Sequence, residues 1–310
     1  MNTSMMHLTI LQREQLQTII QIIKKKATPE KIILFGIYAS KDKLPDYSVQ
    51  IGANNIWGNF DILVVTRHGE HRSDTDILDA IVNTCRSQMP VTLIVHDIDY
   101  VNLQLKQGRY FFSTLYHTGI LLHDAGRTPL QSPAPTNFEQ VKALARKDFE
   151  KGWGMCRGFF RTAQFNIEQR QWKIAAFLLH QTTEYAFQTI LLVHNGYKPC
   201  THNLNKLRQY TSRFSLELYL LFRPDDVQDS LLFRLLGLAY VDARYKEDYP
   251  ITENDLTTLM KRVEKLLSLV ERLCNNRMIY LDKLAACGCN QSNGKEGLTG
   301  EQVSKIKAIM

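Results

Sequence analysis

Two rhythms of hydrophobic and polar positions divide the chain. From Thr9 to Lys26, apolar residues at Ile10, Leu11, Leu16, Ile19, Ile20, Ile22 and Ile23 form a helical stripe that closes in a lysine run. Lysines suit the negative end of a helix dipole. Ala27-Thr28-Pro29 stops this helix. Two short apolar runs follow, Lys31–Phe35 and Ile62–Val65, which read as buried strands. The stretch between them, with Pro45, Gly52 and Asn54-Asn55, reads as a loop whose Tyr47 and Trp57 pack it or stack on a base. A helix is expected over 74–88, capped by Ser73 or Asp74, with Ile77, Leu78, Ile81 and Val82 inward. Pro90 precedes a strand at Val91–Val95, and residues 108–126 read as an aromatic helix, a glycine and a short strand.

Residues 127–136 (RTPLQSPAPT) carry three prolines and read as a linker. Beyond them the spacing turns helical throughout. Long helices are expected over 137–169 and 172–195, the second being the most apolar, then over 203–213, 225–245 and 253–275. Short connections fold such helices into an up-and-down bundle. The fold expected is therefore α/β plus all-α. Its parts are a mixed-sheet domain at 1–126, the linker at 127–136, a helical domain at 137–286 and a polar tail at 287–310.

Composition narrows the class. A chain of 310 residues exceeds the usual single-domain size, and 44% hydrophobic with 22% charged residues suits a globular protein. No apolar run reaches membrane-spanning length and the opening stretch lacks the features of a secretory signal, so a cytoplasmic address without membrane attachment is expected. Six scattered cysteines are expected to be reduced thiols, and Cys287-Gly-Cys289, with no histidine after it, does not read as zinc binding. A net charge of +7 favours polyanionic partners such as nucleotides or RNA.

The candidate chemistry lies first in 31–65. Gly36 ends a strand where the backbone must turn tightly or let a phosphate approach its amides. Asn59 and Asp61 stand two apart at the start of the next strand, on one face. A strand ending in Gly-Ser, a turn, then a strand opening Asp-x-Asp resembles the nucleotidyltransferase superfamily, with the likeness covering roughly residues 10–126. The resemblance implies that Gly36 and Ser40 border a nucleoside triphosphate, that Asn59 and Asp61 occupy the positions of the Mg²⁺ ligands, and that Asp61 is the catalytic acid if the site is active. Departures are plain: Ile37 stands where the family has serine, Asn59 replaces an aspartate, and Val91–Val95 carries no acid. Mg²⁺ wants several hard oxygen ligands, so the transferase centre reads as degenerate. Asp97 and Asp99 read as turn or helix-start residues, or alternatively as replacements for the missing carboxylate.

In the helical half, Ala175-Ala176-Phe177, Gln181, Glu184-Tyr185-Ala186, Thr201-His202-Asn203-Leu204 and Ala243-Arg244-Tyr245 occur in an order that resembles the HEPN domain, over about 137–275. Many HEPN domains are ribonucleases built on Arg followed four to six residues later by His. Here Arg244 is followed by no histidine, and Tyr249, in a possible equivalent place, is a poor base at neutral pH, so ribonuclease activity is disfavoured. Arg244, Tyr245 and Lys246 remain as a cluster able to hold phosphate and stack a base. The bland alternative pairs Arg244 with a helix-end acid and packs Tyr245. His180 reads as a core histidine and His202 as a cap, or else as a neighbour of Arg244.

The reading that follows is a nucleotide- or RNA-binding regulatory protein with an impaired transferase centre, dimeric through the aromatic surface of 149–165. Two alternatives stand beside it: an active metal-dependent nucleotidyltransferase, and a toxin–antitoxin component.

Overall fold

The computed structural model describes residues 1–39, 60–85, 91–223 and 225–286. These fall into two compact units, one spanning Met1–Asn137 and one beginning at Phe138.

The first unit opens with α1 (Ile10–Lys26), where Thr9 and Gln12 form a reciprocal capping box and the last turn holds Lys24, Lys25 and Lys26. Leu16, Ile19, Ile20 and Ile23 are buried as the stripe predicts, but Ile10 and Leu11 lie in the first turn, beyond the edge of the core, and are exposed. The strands are β1 (Pro29–Phe35), β2 (Phe60–Thr66), β3 (Val91–Asp97) and β4 (Ile120–Asp124), in the order β3-β2-β1-β4. β1 is antiparallel to both β2 and β4, and β2 is parallel to β3, so the sheet is mixed. β1 is buried along its whole length. Burial of its two charges is tolerated because both are paired: Lys31 with Asp124, and Glu30 with Arg127. Helices α2 (Asp74–Cys85), α3 (Ile98–Lys106) and α4 (Tyr110–Thr118) complete the unit. Ser73 caps α2 by accepting from the Asp76 amide, and Asp97 caps α3 by accepting from the Tyr100 amide at 2.8 Å. Residues 127–136 form neither helix nor strand and lie along this unit, where the amides of Thr128, Gln131 and Ala134 donate to Glu30, Asn102 and Leu105.

The second unit is built on three long helices, α5 (Phe138–Glu168), α6 (Trp172–Asn195) and, closing the chain's described part, a helix at Glu253–Ala286. Between the second and third lie α7 (Leu204–Thr211), α8 (Leu216–Leu220), α9 (Val227–Leu238) and α10 (Asp242–Tyr245), which makes the last long helix α11. α5 runs antiparallel to α6, with Gly152 against Thr189 and Cys156 against Thr182, and to α11, with Arg146 on Asp282. A methyl group on Gly152 would collide with the Thr189 side chain, so glycine lets the two helices approach.

Three boundaries differ from the sequence reading. The single helix expected at 225–245 is two, because Val241 donates to Leu238 three residues back, tightening the chain into a turn over 239–241. The short helix expected at 203–213 ends at Thr211 in a 3₁₀ turn, and α8 follows separately. α11 continues past Asn275 to Ala286, since its inner face is carried on by buried Arg277 and Leu281. Among the described residues no helix is long and apolar enough to cross a membrane.

Candidate functional site

In the first unit, β1 is followed by Gly36 with φ +71°, a left-handed conformation that glycine adopts without strain. Phe35 is in register with Asp61 across the β1–β2 ladder, and the Asp61 carboxylate lies where a Gly36 side chain would be. The glycine bend and the Asp61 carboxylate thus lie side by side. Tyr38, its ring tilted on Phe60 at 4.8 Å, has its hydroxyl pKa pushed up by burial and by the charge of Asp61. Ser40 and Asn59 lie outside the described residues, as do Tyr47 and Trp57.

The register also decides whether a second acid joins Asp61. On β3 the residue level with Asp61 is Thr92, whereas Asp97 is level with Thr66 at the other end of the strand. Five residues of strand separate Asp97 from Thr92, about 16 Å at the usual rise. Asp97 spends its carboxylate on the α3 cap, and Asp99 pairs with His68. The alternative in which Asp97 or Asp99 completes a metal site with Asp61 is therefore corrected: both stand at the wrong end of the sheet. No three metal-ligating side chains converge among the described residues. Among the described residues the position on β3 level with Asp61 thus supplies a hydroxyl and not a second carboxylate.

The second unit assembles a different constellation. α6 is apolar on nearly all sides, yet carries Glu184 at 3% exposure, with Gln188 and His180 also buried. Glu184 sits one turn from each on the same helix face. Its Oε1 accepts from Gln188 Nε2 at 2.9 Å and lies 2.9 Å from His202 Nδ1, while Oε2 lies 3.5 Å from His180 Nε2. Burial by itself would raise the Glu184 pKa, but hydrogen bonds and charge from His180 and His202 outweigh it and hold the carboxyl below its usual range. Lys198 Nζ donates to Gln188 Oε1 at 2.9 Å, extending the network. His180 is a core histidine, fully buried with Nδ1 2.9 Å from the Leu236 carbonyl, but it is satisfied on that side alone, its Nε2 having no hydrogen-bond partner among the described residues.

His202 is not a helix cap: Asn203 caps α7 by accepting from the Lys206 amide. His202 instead comes from the approach to α7, keeps 59% of its side chain exposed, and stacks on Tyr240 with centroids 4.6 Å apart and planes 13° apart. Tyr240 also stacks with His180 at 5.2 Å. The turn over 239–241 that interrupts the expected helix is what places this ring.

Arg244 follows on α10. Its Nε donates to the Tyr240 carbonyl at 2.6 Å, and its guanidinium carbon lies 4.7, 5.1 and 5.0 Å from the ring centroids of Tyr240, Phe177 and Tyr245. Neither half of the bland alternative holds, since Arg244 has no acidic partner among the described residues and Tyr245 is 74% exposed. Lys246 is drawn to Asp242 at 3.1 Å and is correspondingly less available than Arg244. Lys173 Nζ donates to the Lys246 carbonyl at 2.9 Å and also to that of Glu247, which ties the end of α10 to the start of α6. Tyr249 is a structural residue: it is 5% exposed, its hydroxyl donates to the Leu235 carbonyl at 2.8 Å, and burial pushes its pKa far up. It does not replace a catalytic histidine.

Arg244 and Tyr245 lie against each other, Lys246 turns to Asp242, and His202 meets Arg244 through the shared ring of Tyr240, the second of the two places the sequence offered for it, whereas Glu184 and Tyr240 were not joined to them in the sequence. The available signal was an ionisable residue inside the most apolar helix, which needs a partner.

Residues 154–273 match the family model of the HEPN domain, an interval that contains every residue of this second constellation. No curated protein matches the chain.

Proposed function

We propose that the helical unit binds nucleotides or RNA at the face formed by Tyr240, Arg244 and Tyr245, and that the protein is regulatory, its first unit being a nucleotidyltransferase-type domain with a degenerate centre. HEPN domains are associated with nucleotide or RNA binding and with ribonuclease activity, so the matched interval is in keeping with this face. One observation carries the reading: an exposed guanidinium held among three aromatic rings, with no acidic partner among the described residues, beside the exposed ring of Tyr245. Arginine so placed offers its donor fork to phosphate, and a free tyrosine face offers a platform for a base. In the first unit, Asp61 beside Gly36 with Thr92 level with it in the neighbouring strand is in keeping with a centre that has lost a metal carboxylate.

Isothermal titration of the full chain with ATP, GTP and a short RNA tests the reading. Binding is expected for at least one of them, and Arg244→Ala is expected to weaken it by about tenfold to a hundredfold, the worth of a charge-assisted hydrogen bond. Absence of heat with every ligand rejects the site.

The protein is further proposed to pair through α5. Met155 and Phe165 are exposed at 36% and 58% on this helix, and the rings of Phe149 and Trp153 stack nearby at 5.9 Å. Light scattering is expected to give a dimer mass that Met155→Asp with Phe165→Asp reduces to a monomer. A monomer mass for the unaltered chain rejects the proposal.

A further inference from the structure

We infer that His202 is a second ligand-contacting residue of this face: it grips the phosphate of a bound nucleotide in its protonated form, held in position by the buried carboxylate of Glu184. This rests on the reading that the Arg244 face binds nucleotide or RNA, and it names the group that the face recognises and the condition under which it does so.

The geometry fixes both ends of the imidazole. Nδ1 lies 2.9 Å from Glu184 Oε1, and the ring plane is set by stacking on Tyr240. A carboxylate at Nδ1 holds the hydrogen there, which leaves Nε2 as the free edge of a side chain that is 59% exposed. Arg244 rests against the same Tyr240 ring, so guanidinium and imidazole share one aromatic neighbour, and the inference assigns both to one phosphate. A neutral Nε2 presents a lone pair, which repels a phosphate oxygen. A protonated Nε2 presents a hydrogen-bond donor and a positive charge.

The surrounding charges set the switch. Glu184 and His180 face His202 from α6, Tyr240 from the turn after α9, and Arg244 from α10, while Lys198 acts one step away through Gln188. The Glu184 carboxyl, kept ionised by its hydrogen bonds, favours a cationic ring, and Arg244 opposes it. An arriving phosphate adds negative charge on the open side and tips the balance, so binding takes up one proton from solution onto Nε2. Glu184 is a positioning residue here, since Oε1 touches the imidazole and not the ligand.

The experiment is calorimetric titration of the full chain with 5′-AMP and, separately, with a short RNA bearing 5′-hydroxyl ends, each at pH 6 and pH 8 in buffers of different ionisation heat. The RNA arm matters because a terminal phosphate itself titrates near pH 6, whereas internal diesters do not. Proton uptake and affinity about tenfold tighter at pH 6 are expected for the ligand the face takes, and the arm that shows them identifies free nucleotide or RNA as the source of the phosphate. His202→Asn should abolish the uptake and the pH dependence. His202→Lys should keep tight binding at pH 8 without uptake, and Glu184→Gln should move the uptake to lower pH, which a purely structural carboxylate would not do. Equal affinity at both pH values with no proton uptake overturns the inference and leaves the Arg244 reading standing. Failure of both ligands to bind at either pH removes both together.

Discussion

Gly152 shows how much a single residue decides in this molecule. Glycine inside a 31-residue helix forfeits helix propensity, and the compensation is contact: its missing side chain is the space that Thr189 fills as it donates to the Tyr185 carbonyl at 2.6 Å. Gly152→Ala must displace that side chain and is expected to destabilise the fold by about 1–3 kcal/mol, read from the urea midpoint. Gly237 in α9 makes the control, because nothing lies within 4 Å of a methyl group placed on it. Gly237→Ala is expected to be neutral or to stabilise by less than about 1 kcal/mol. The sequence marks both as glycines at a helical cost, but only the neighbouring helix distinguishes them. The site divides in the same way. Arg244 and Tyr245 were legible because they are adjacent and polar or aromatic near a helix end. His202 was legible as one alternative beside Arg244, but its pairing with Glu184 was not, since 18 residues and a change of element separate the two and neither signals its partner.

At the scale of elements, the apolar rhythm located α1, α5, α6 and the strands to within a residue or two, because each of these has an uninterrupted stripe or run. It failed where polar residues do apolar work. Asn275-Asn276-Arg277 looks like the end of a helix, but Arg277 is buried at 4% exposure, donates to the His194 carbonyl at 3.0 Å and keeps α11 going. It failed again over 239–241, where Val241 donates to the Leu238 carbonyl and the chain turns, a bond that the apolar spacing does not mark. Polar ties also join the short helices to the long ones. Arg262 on α11 donates to the Leu221 carbonyl at 2.7 Å and to Asp229 on α9 at 2.6 Å. Asp229 is 5% exposed, so removing Arg262 leaves its buried carboxylate only the Arg223 amide, at 3.2 Å, and no ion-pair partner among the described residues. Arg262→Ala is expected to cost on the order of 2 kcal/mol, less than a fully buried pair because Arg262 is about a third exposed, again measured by urea unfolding.

The whole molecule carries its acid sensitivity unevenly. His194, in the last turn of α6, packs its ring on Phe214 at 4.4 Å beside Arg277, and its Nε2 is buried without a hydrogen-bond partner among the described residues. Burial first, and the Arg277 charge second, hold its pKa down at about 3. An unfolded histidine takes a proton near the usual 6.5, so between these values the unfolded state binds more protons than the folded one. The stability contributed by a neutral His194 is therefore complete above about pH 6.5 and is lost as the pH falls from there toward 3. Among the described residues of the first unit no histidine is held so far down: burial lowers His117 and His123 to a smaller extent, while Asp99 raises His68. Its depressed carboxyls, Glu30, Asp124 and Glu70 (the last at about 2), keep their full contribution above the ordinary carboxylate range and lose it only as the pH falls through their folded values. The helical unit should accordingly weaken first on acidification. Trp153 and Trp172 both lie in that unit, so urea titrations followed by tryptophan fluorescence in a Trp57→Phe background report on it alone. The expected slope between pH 6.5 and 4.5 approaches 1.4 kcal/mol per pH unit, the value for one proton, and His194→Phe is expected to flatten it while leaving the steeper loss below pH 4.5 in place. An unchanged slope in the variant would assign the acid sensitivity to the carboxylates instead.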